Sequence, residues 1–295
     1  MAKKVIFRIV ITLLVLVGLG FIMFPTVSQW IYQWQADQQI AEYEAYFDEE
    51  TAAAELERAY AYNQALATSG GMLPSDAFSQ KGELDRGYSE LVNLQGNGIM
   101  GYIEIPAISV KLPIYHGTSE EVLQVGAGHL QGTSLPVGSD GNYNVHAVIA
   151  AHTGLSNATM FDHLDVIRNG DWFSISVLGK KLWYQVDQVK IVTPDNTSDL
   201  QLIGPDYVTL VTCTPYGVNS HRLLVRAARG DGPPPEYVES MPWPWWVWPL
   251  LLIAAIVFLI VIVIVLRIIL KRRRKKKEAA ACSDEQLSEV EVRGP

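Results

Sequence analysis

Two long apolar stretches near the ends of the chain constrain it most. Residues 5–24 are apolar apart from Thr12, the glycines and Arg8, and residues 241–266 carry no charge. A helix rises 1.5 Å per residue, so about 20 apolar residues cross the hydrocarbon core of a bilayer. Both stretches therefore read as membrane-spanning helices. Trp243, Trp245, Trp246 and Trp248 stand at the start of the second, where an aromatic belt meets the membrane surface. The first stretch also has the basic start of a signal peptide, but no small-x-small cleavage site follows Phe24-Pro25. It is read as an uncleaved span.

Charge sets the expected orientation. Residues 271–277 are an unbroken basic run directly after the second stretch, and Lys3, Lys4 and Arg8 flank the first. Basic flanks stay in the cytoplasm. Both termini are then cytoplasmic, and residues 28–242 lie outside the cell. This middle part has no basic stripe, which argues against nucleic acid as a partner and leaves membrane lipid as an expected one. The two cysteines, Cys213 and Cys282, fall on opposite sides of the membrane and cannot pair. Cys213 is thus a lone exported thiol, either buried and inert or chemically used.

The middle part changes texture along its length. Residues 36–67 lack Gly and Pro and read as one long helix or two shorter ones. Residues 69–88 hold Gly70, Gly71, Pro74, Gly82 and Gly87 and read as a long loop. Loops of that length are usually functional or disordered. From Gly101 onward, short Val/Ile/Tyr-rich runs alternate with turn residues. Strands are predicted over 102–105, 145–151, 172–177, 183–192, 207–212 and 221–227, with an amphipathic piece at 160–167. This is the pattern of a β-barrel or sandwich. The expected division is a tip and span at 1–28, a helical segment at 29–72 and a loop at 73–90. A β domain follows at 91–230, then a linker at 231–244, a span at 245–270 and a charged tail at 271–295.

The strand Tyr207-Val-Thr-Leu-Val-Thr-Cys213 ends at the cysteine, and a turn-rich segment leads to His221-Arg-Leu-Leu-Val-Arg-Ala227. If the two strands pair symmetrically, Cys213 faces Arg222, and Thr209, Val211 and Cys213 share a face. A free thiol is only a few per cent thiolate at neutral pH. A fixed positive charge beside it favours the thiolate, and a guanidinium offers donors to an oxyanion. The same residues are also compatible with a buried cysteine and a surface arginine. Among the six histidines, His221 points to the opposite face from Arg222. His146 and His152 share a strand face about 20 Å apart, so only one of them reaches Cys213. His152, at the strand end before Thr153-Gly154, is the candidate base.

Thr209-Leu-Val-Thr-Cys213 resembles the TLxTC signature of the sortases, with Arg222 nine residues later where that family has its catalytic arginine. Ala151-His152-Thr-Gly-Leu155, followed by Phe161, Leu164 and Gly170-Asp171, resembles the stretch around the family's catalytic histidine. Gly101-Tyr-Ile-Glu-Ile-Pro106 and Leu112-Pro-Ile-Tyr-His-Gly117 look like its first strands. The resemblance covers about residues 88–230. It implies a mainly β, closed sortase barrel with short helices, preceded by a helical segment and lid and flanked by two transmembrane helices. It also implies His152, Cys213 and Arg222 as catalytic residues, Thr209, Val211 and Thr212 near the substrate, and no metal or organic cofactor.

A second span and a loop before the barrel resemble class C, the pilin-polymerising sortases of Gram-positive bacteria. There the loop is a lid carrying an Asp-Pro-aromatic motif, whose Asp meets the catalytic Arg and whose ring covers the Cys. Here it reads Asp76-Ala77-Phe78, with Ala in the place of Pro, which implies a looser lid. The implied reaction cleaves an LPxTG-like sorting signal through a thioester. It then joins the acyl group to a lysine of the next pilin. A housekeeping sortase acting on the cell-wall precursor and a non-enzymatic adhesin or scaffold are the alternatives. Comparing pilin lysine with oligoglycine as nucleophiles separates the first alternative. A Cys213→Ala variant with unchanged product formation would mark the second.

Overall fold

The computed structural model describes residues 2–46, 48–71, 74–80, 82–155, 157–202 and 204–233, with scattered residues between 248 and 267. It forms two compact units, Met1–Pro242 and Trp243–Pro295. In the second, residues 248–253 are helical. Among the described residues no helix is long and apolar enough to cross a membrane. Much of the two apolar stretches expected to span, 5–24 and 241–266, falls on residues whose side chains lie outside this description.

The Gly/Pro-free segment is divided between two helices. Helix α1 (Ala2–Ala45) extends back across Pro25, so the expected boundary near residue 28 falls inside one continuous helix. Helix α2 (Glu49–Thr68) follows after a break at Asp48. The break has a local cause. The Asp48 carboxylate accepts from the Thr51 backbone N–H (2.9 Å) and hydroxyl (2.7 Å), an N-cap that restarts the helix. Two buried polar side chains then seat α2. Glu55 accepts from the Val92 N–H at 2.7 Å. The Asn63 amide bonds both the C=O and the N–H of Leu135, at 3.0 and 2.7 Å. Buried polar groups need such partners, so these bonds fix where the helix sits. Short helices α3 (Arg86–Ser89) and α4 (Glu120–Leu123) follow, capped by Asp85 and Ser119.

Eight strands make the barrel: β1 (Ile99–Ile105), β2 (Val110–His116), β3 (Ala127–His129), β4 (His146–Ala150), β5 (Trp172–Val177), β6 (Lys180–Val192), β7 (Tyr207–Thr214) and β8 (His221–Gly230). They close in the order β1-β2-β3-β4-β7-β8-β6-β5. Closure leaves no unpaired edge. Pairing is antiparallel except for β2 with β3 and β4 with β7. The alternating apolar positions fill the interior with Ile103, Ile114, Ile149, Phe173, Ile175, Tyr184, Leu210 and Val225, all buried. The amphipathic piece at 160–167 is irregular with one 3₁₀ turn, Leu164–Val166; it buries Met160, Phe161, Leu164 and Ile167.

Candidate active site

The β7–β8 hairpin has the expected register, with Cys213 paired to Arg222 and Val211 to Leu224. On the other side of β7, the parallel strand β4 pairs Val148 with Thr209 and Ala150 with Val211. The pairing continues past the end of β4. The Ala151 N–H donates to the Val211 C=O at 3.2 Å, and the Thr212 hydroxyl donates to the Ala151 C=O at 2.8 Å. Two residues beyond Ala150 and two beyond Val211 stand His152 and Cys213, so both emerge at the same rim. The turn after His152 is held by Asp162, whose Oδ1 accepts from the Gly154 N–H (2.7 Å) and the Thr153 hydroxyl (3.1 Å). Gly154 has φ +84°, a conformation that favours glycine.

The loop after α2 lies across this rim. Arg222 Nε and Nη2 donate to Asp76 Oδ1 and Oδ2, both at 2.8 Å, a bidentate fork. Nη1 donates to the carbonyls of Asn219 and His221, each at 3.2 Å. The Phe78 ring centre lies 5.0 Å from the Arg222 guanidinium and 5.7 Å from the His152 ring. Ala77 is fully buried in a cluster with Leu123, Leu130, Val148, Ala150, Val211 and Leu224. The loop is therefore held at three successive residues by charge, packing and ring contact. Ala77, in the place of the motif's Pro, implies a looser lid, but its burial in this cluster gives the segment a packing anchor of its own. The fork is only 12–14% exposed, so it is more sheltered than an ordinary surface pair.

Burial pushes the Cys213 thiol up, Asp76 adds to this, and Arg222 opposes it.

Histidine roles separate by hydrogen bonding. His129 is fully buried between Tyr88 Oη (2.8 Å) and the Ser134 C=O (2.7 Å), and burial lowers it to about 3. His116 lies near the carbonyls of Gly98 and Leu91, and burial lowers it too. His146, the alternative candidate, is buried between the Gln201 C=O (2.6 Å) and Thr209 Oγ1 (2.8 Å). His152 Nε2, by contrast, has no hydrogen-bond partner.

Thr209, Val211 and Thr212, expected near substrate, are buried in the barrel wall. Their side chains bond His146, join the Ala77 cluster and bond Ala151, respectively. They support the strand that carries Cys213. Thr209→Val should therefore leave a buried His146 nitrogen unpaired and cost about 1–3 kcal/mol. A lower melting temperature with unchanged peptide KM is the expected outcome, and a raised KM at unchanged stability would place Thr209 on the substrate.

One neighbour has no counterpart in the sequence reading. Glu120 Oε2 lies 3.4 Å from His152 Nε2, close enough for charge attraction but not aligned as a hydrogen bond. No spacing signal links residues so far apart in the chain, and only the fold brings them together.

The Sortase domain family matches residues 103–230. Sortase C-1 from Actinomyces oris is 44% identical, with 61% of this chain and 98% of that one covered and a TM-score of 0.57. Sortase C1 from Streptococcus agalactiae is 42% identical, with 66% and 100% covered and a TM-score of 0.60. Among curated proteins, Sortase A of Bacillus anthracis is 29% identical over 133 residues, 45% of this chain and 60% of its own length. Sortase D of Bacillus subtilis is 29% identical over 117 residues, 39% of this chain and 54% of its own length. The chain thus spans less than two thirds of these curated relatives. It spans nearly all of the two solved structures at more than 40% identity, with the same closed-barrel fold, and so it belongs to the sortase family and, within it, to class C.

Proposed function

We propose that this class C sortase is a membrane-anchored cysteine transpeptidase, with its barrel outside the cell and both termini in the cytoplasm. It cleaves an LPxTG-like sorting signal and joins pilin or other surface subunits through an isopeptide bond to a lysine. The observation that carries the reading is the meeting of Cys213, Arg222 and His152 at one barrel rim. Anchoring and orientation rest on the apolar stretches and their basic flanks.

In this reaction the Cys213 thiolate attacks the Thr carbonyl carbon of the sorting signal. Arg222 donates hydrogen bonds to the developing oxyanion. Collapse breaks the Thr–Gly bond, and His152 gives its proton to the departing amine. The resulting thioester is then attacked by the lysine amine, and the thiolate leaves. In the closed structure the Asp76 carboxylate occupies the Arg222 fork that the oxyanion would use. Asp76 must therefore leave before substrate can enter, and apparent affinity falls by the fraction of open molecules.

Mass spectrometry of the protein incubated with a sorting-signal peptide tests the reading. An acyl adduct on Cys213 is expected, and an adduct on any other residue would refute it. Adding a lysine-bearing pilin peptide or oligoglycine then identifies the acceptor. The lid has its own test. Asp76→Ala and Phe78→Ala should each raise the rate of Cys213 alkylation about tenfold, the effect of 1.4 kcal/mol. In Asp76→Ala, the burial and the carboxylate that raise the thiol are both reduced. Its alkylation profile should move to lower pH, because more thiolate is then present near neutrality. Unchanged rates in both variants would mean that the loop does not control access.

A further inference from the structure

Glu120 opens helix α4 and turns one carboxylate oxygen towards the unpartnered Nε2 of His152, 3.4 Å away. Its other oxygen is held by the Gln124 side-chain amide at 3.1 Å. The carboxylate is 65% exposed. An ion pair that open contributes little to holding a histidine in place. It is better suited to receive a cation arriving from solvent. A primary amine is such a cation until it gives up a proton, and it must do so beside the base.

Gln124 also belongs to the wall of a groove of about 750 Å³. Tyr32, Gln35 and Gln38 of α1 line one side, and Leu155 and Asn157, just past His152, line the other. Half of the lining residues carry side-chain amides, which match the donors and acceptors of an extended peptide backbone, and the rest are apolar or aromatic. Tyr32 is nine-tenths buried, yet its hydroxyl has no hydrogen-bond partner. Burial raises the phenol, so it stays neutral and can both donate and accept. A buried polar group without a partner is costly, and a peptide carbonyl or N–H would satisfy it.

We propose that this groove binds the peptide segment carrying the amine nucleophile, with Glu120 receiving its ammonium beside His152. The inference rests on the transpeptidase reading and adds where the second substrate sits. Of the three ammonium protons, one passes to neutral His152 and the free amine attacks the thioester carbon. The C–N bond forms and the C–S bond breaks, with its electron pair going to the Cys213 sulfur. A second proton goes to that sulfur, and the third stays on the new amide.

The test uses the full chain in detergent with a sorting-signal peptide and a lysine-bearing peptide. Transpeptidation and hydrolysis products are measured in the same reaction. Glu120→Ala should lower the ratio of transpeptidation to hydrolysis about tenfold, a charged hydrogen bond being worth about 1.5 kcal/mol or more. Glu120→Asp should recover part of that loss. Tyr32→Phe removes an atom unpaired in the free protein and should raise the KM for the lysine peptide about fivefold, the effect of one hydrogen bond. With hydroxylamine, a short nucleophile uncharged at neutral pH, both defects should vanish. Equal slowing of hydrolysis and transpeptidation in Glu120→Ala would make Glu120 a mere orienter of His152 and overturn the proposal. So would unchanged ratios. Absence of any acyl adduct on Cys213 in the unaltered protein would instead refute the transpeptidase reading itself.

Discussion

Cys213→Ala is expected to abolish thioester formation and polymer growth while the barrel stays folded. Cys213 sits one residue from the end of β7 and is only partly buried. Its neighbours on that face, Val211 and Leu224, remain packed in the cluster that holds Ala77. Losing one sulfur at a half-exposed strand end should cost on the order of 1 kcal/mol of stability, a typical single-substitution effect. The chemical loss is of another size. Removing a nucleophile leaves only binding and oxyanion stabilisation, and losses of about 10⁴-fold or more are usual. Intact-mass spectrometry should show no acyl adduct, and circular dichroism should show an unchanged barrel. Residual thioester chemistry in this variant would mean that another residue is the nucleophile.

Arg222→Lys is expected to lower kcat/KM for sorting-signal cleavage by about 10²–10³-fold, as when an oxyanion donor is lost. The charge survives the substitution, but the fork does not. Arg222 spends Nε and Nη2 on Asp76 and Nη1 on two backbone carbonyls, a planar arrangement that a single ammonium cannot reproduce. Asp76→Ala separates the two jobs of the fork. It breaks the same pair but keeps the guanidinium, so peptide cleavage should rise where Arg222→Lys makes it fall. If the lysine variant kept near-native turnover, positive charge alone would suffice and the directed hydrogen bonds would be unnecessary.

The strands were legible as short Val/Ile/Tyr-rich runs set between turn residues. The segments at 172–177 and 207–212 match β5 and most of β7. The three-residue β3 was missed, since a strand that short carries no periodicity. Helix was legible over 36–67, as one long helix or two shorter ones, because the break at Asp48 depends on one capping carboxylate. Thr209 and Val211 share a face of β7 with Cys213, and Thr212 lies on the other. Alternation gives the face but not the exposure, and all three are buried in the wall.

What the sequence determined by itself was local. A hairpin's register follows from strand alternation and the length of its turn, so Cys213 opposite Arg222 could be read directly. The tertiary structure alone decided which distant groups share that rim. Parallel pairing of β4 with β7 brings His152 level with Cys213. The buried Ala77 anchors the loop that lays Asp76 against an arginine 146 residues away. The same closure sets Glu120 beside His152. These contacts arise from closing the barrel and docking loops on its rim, and no periodicity or spacing in the chain encodes such distances.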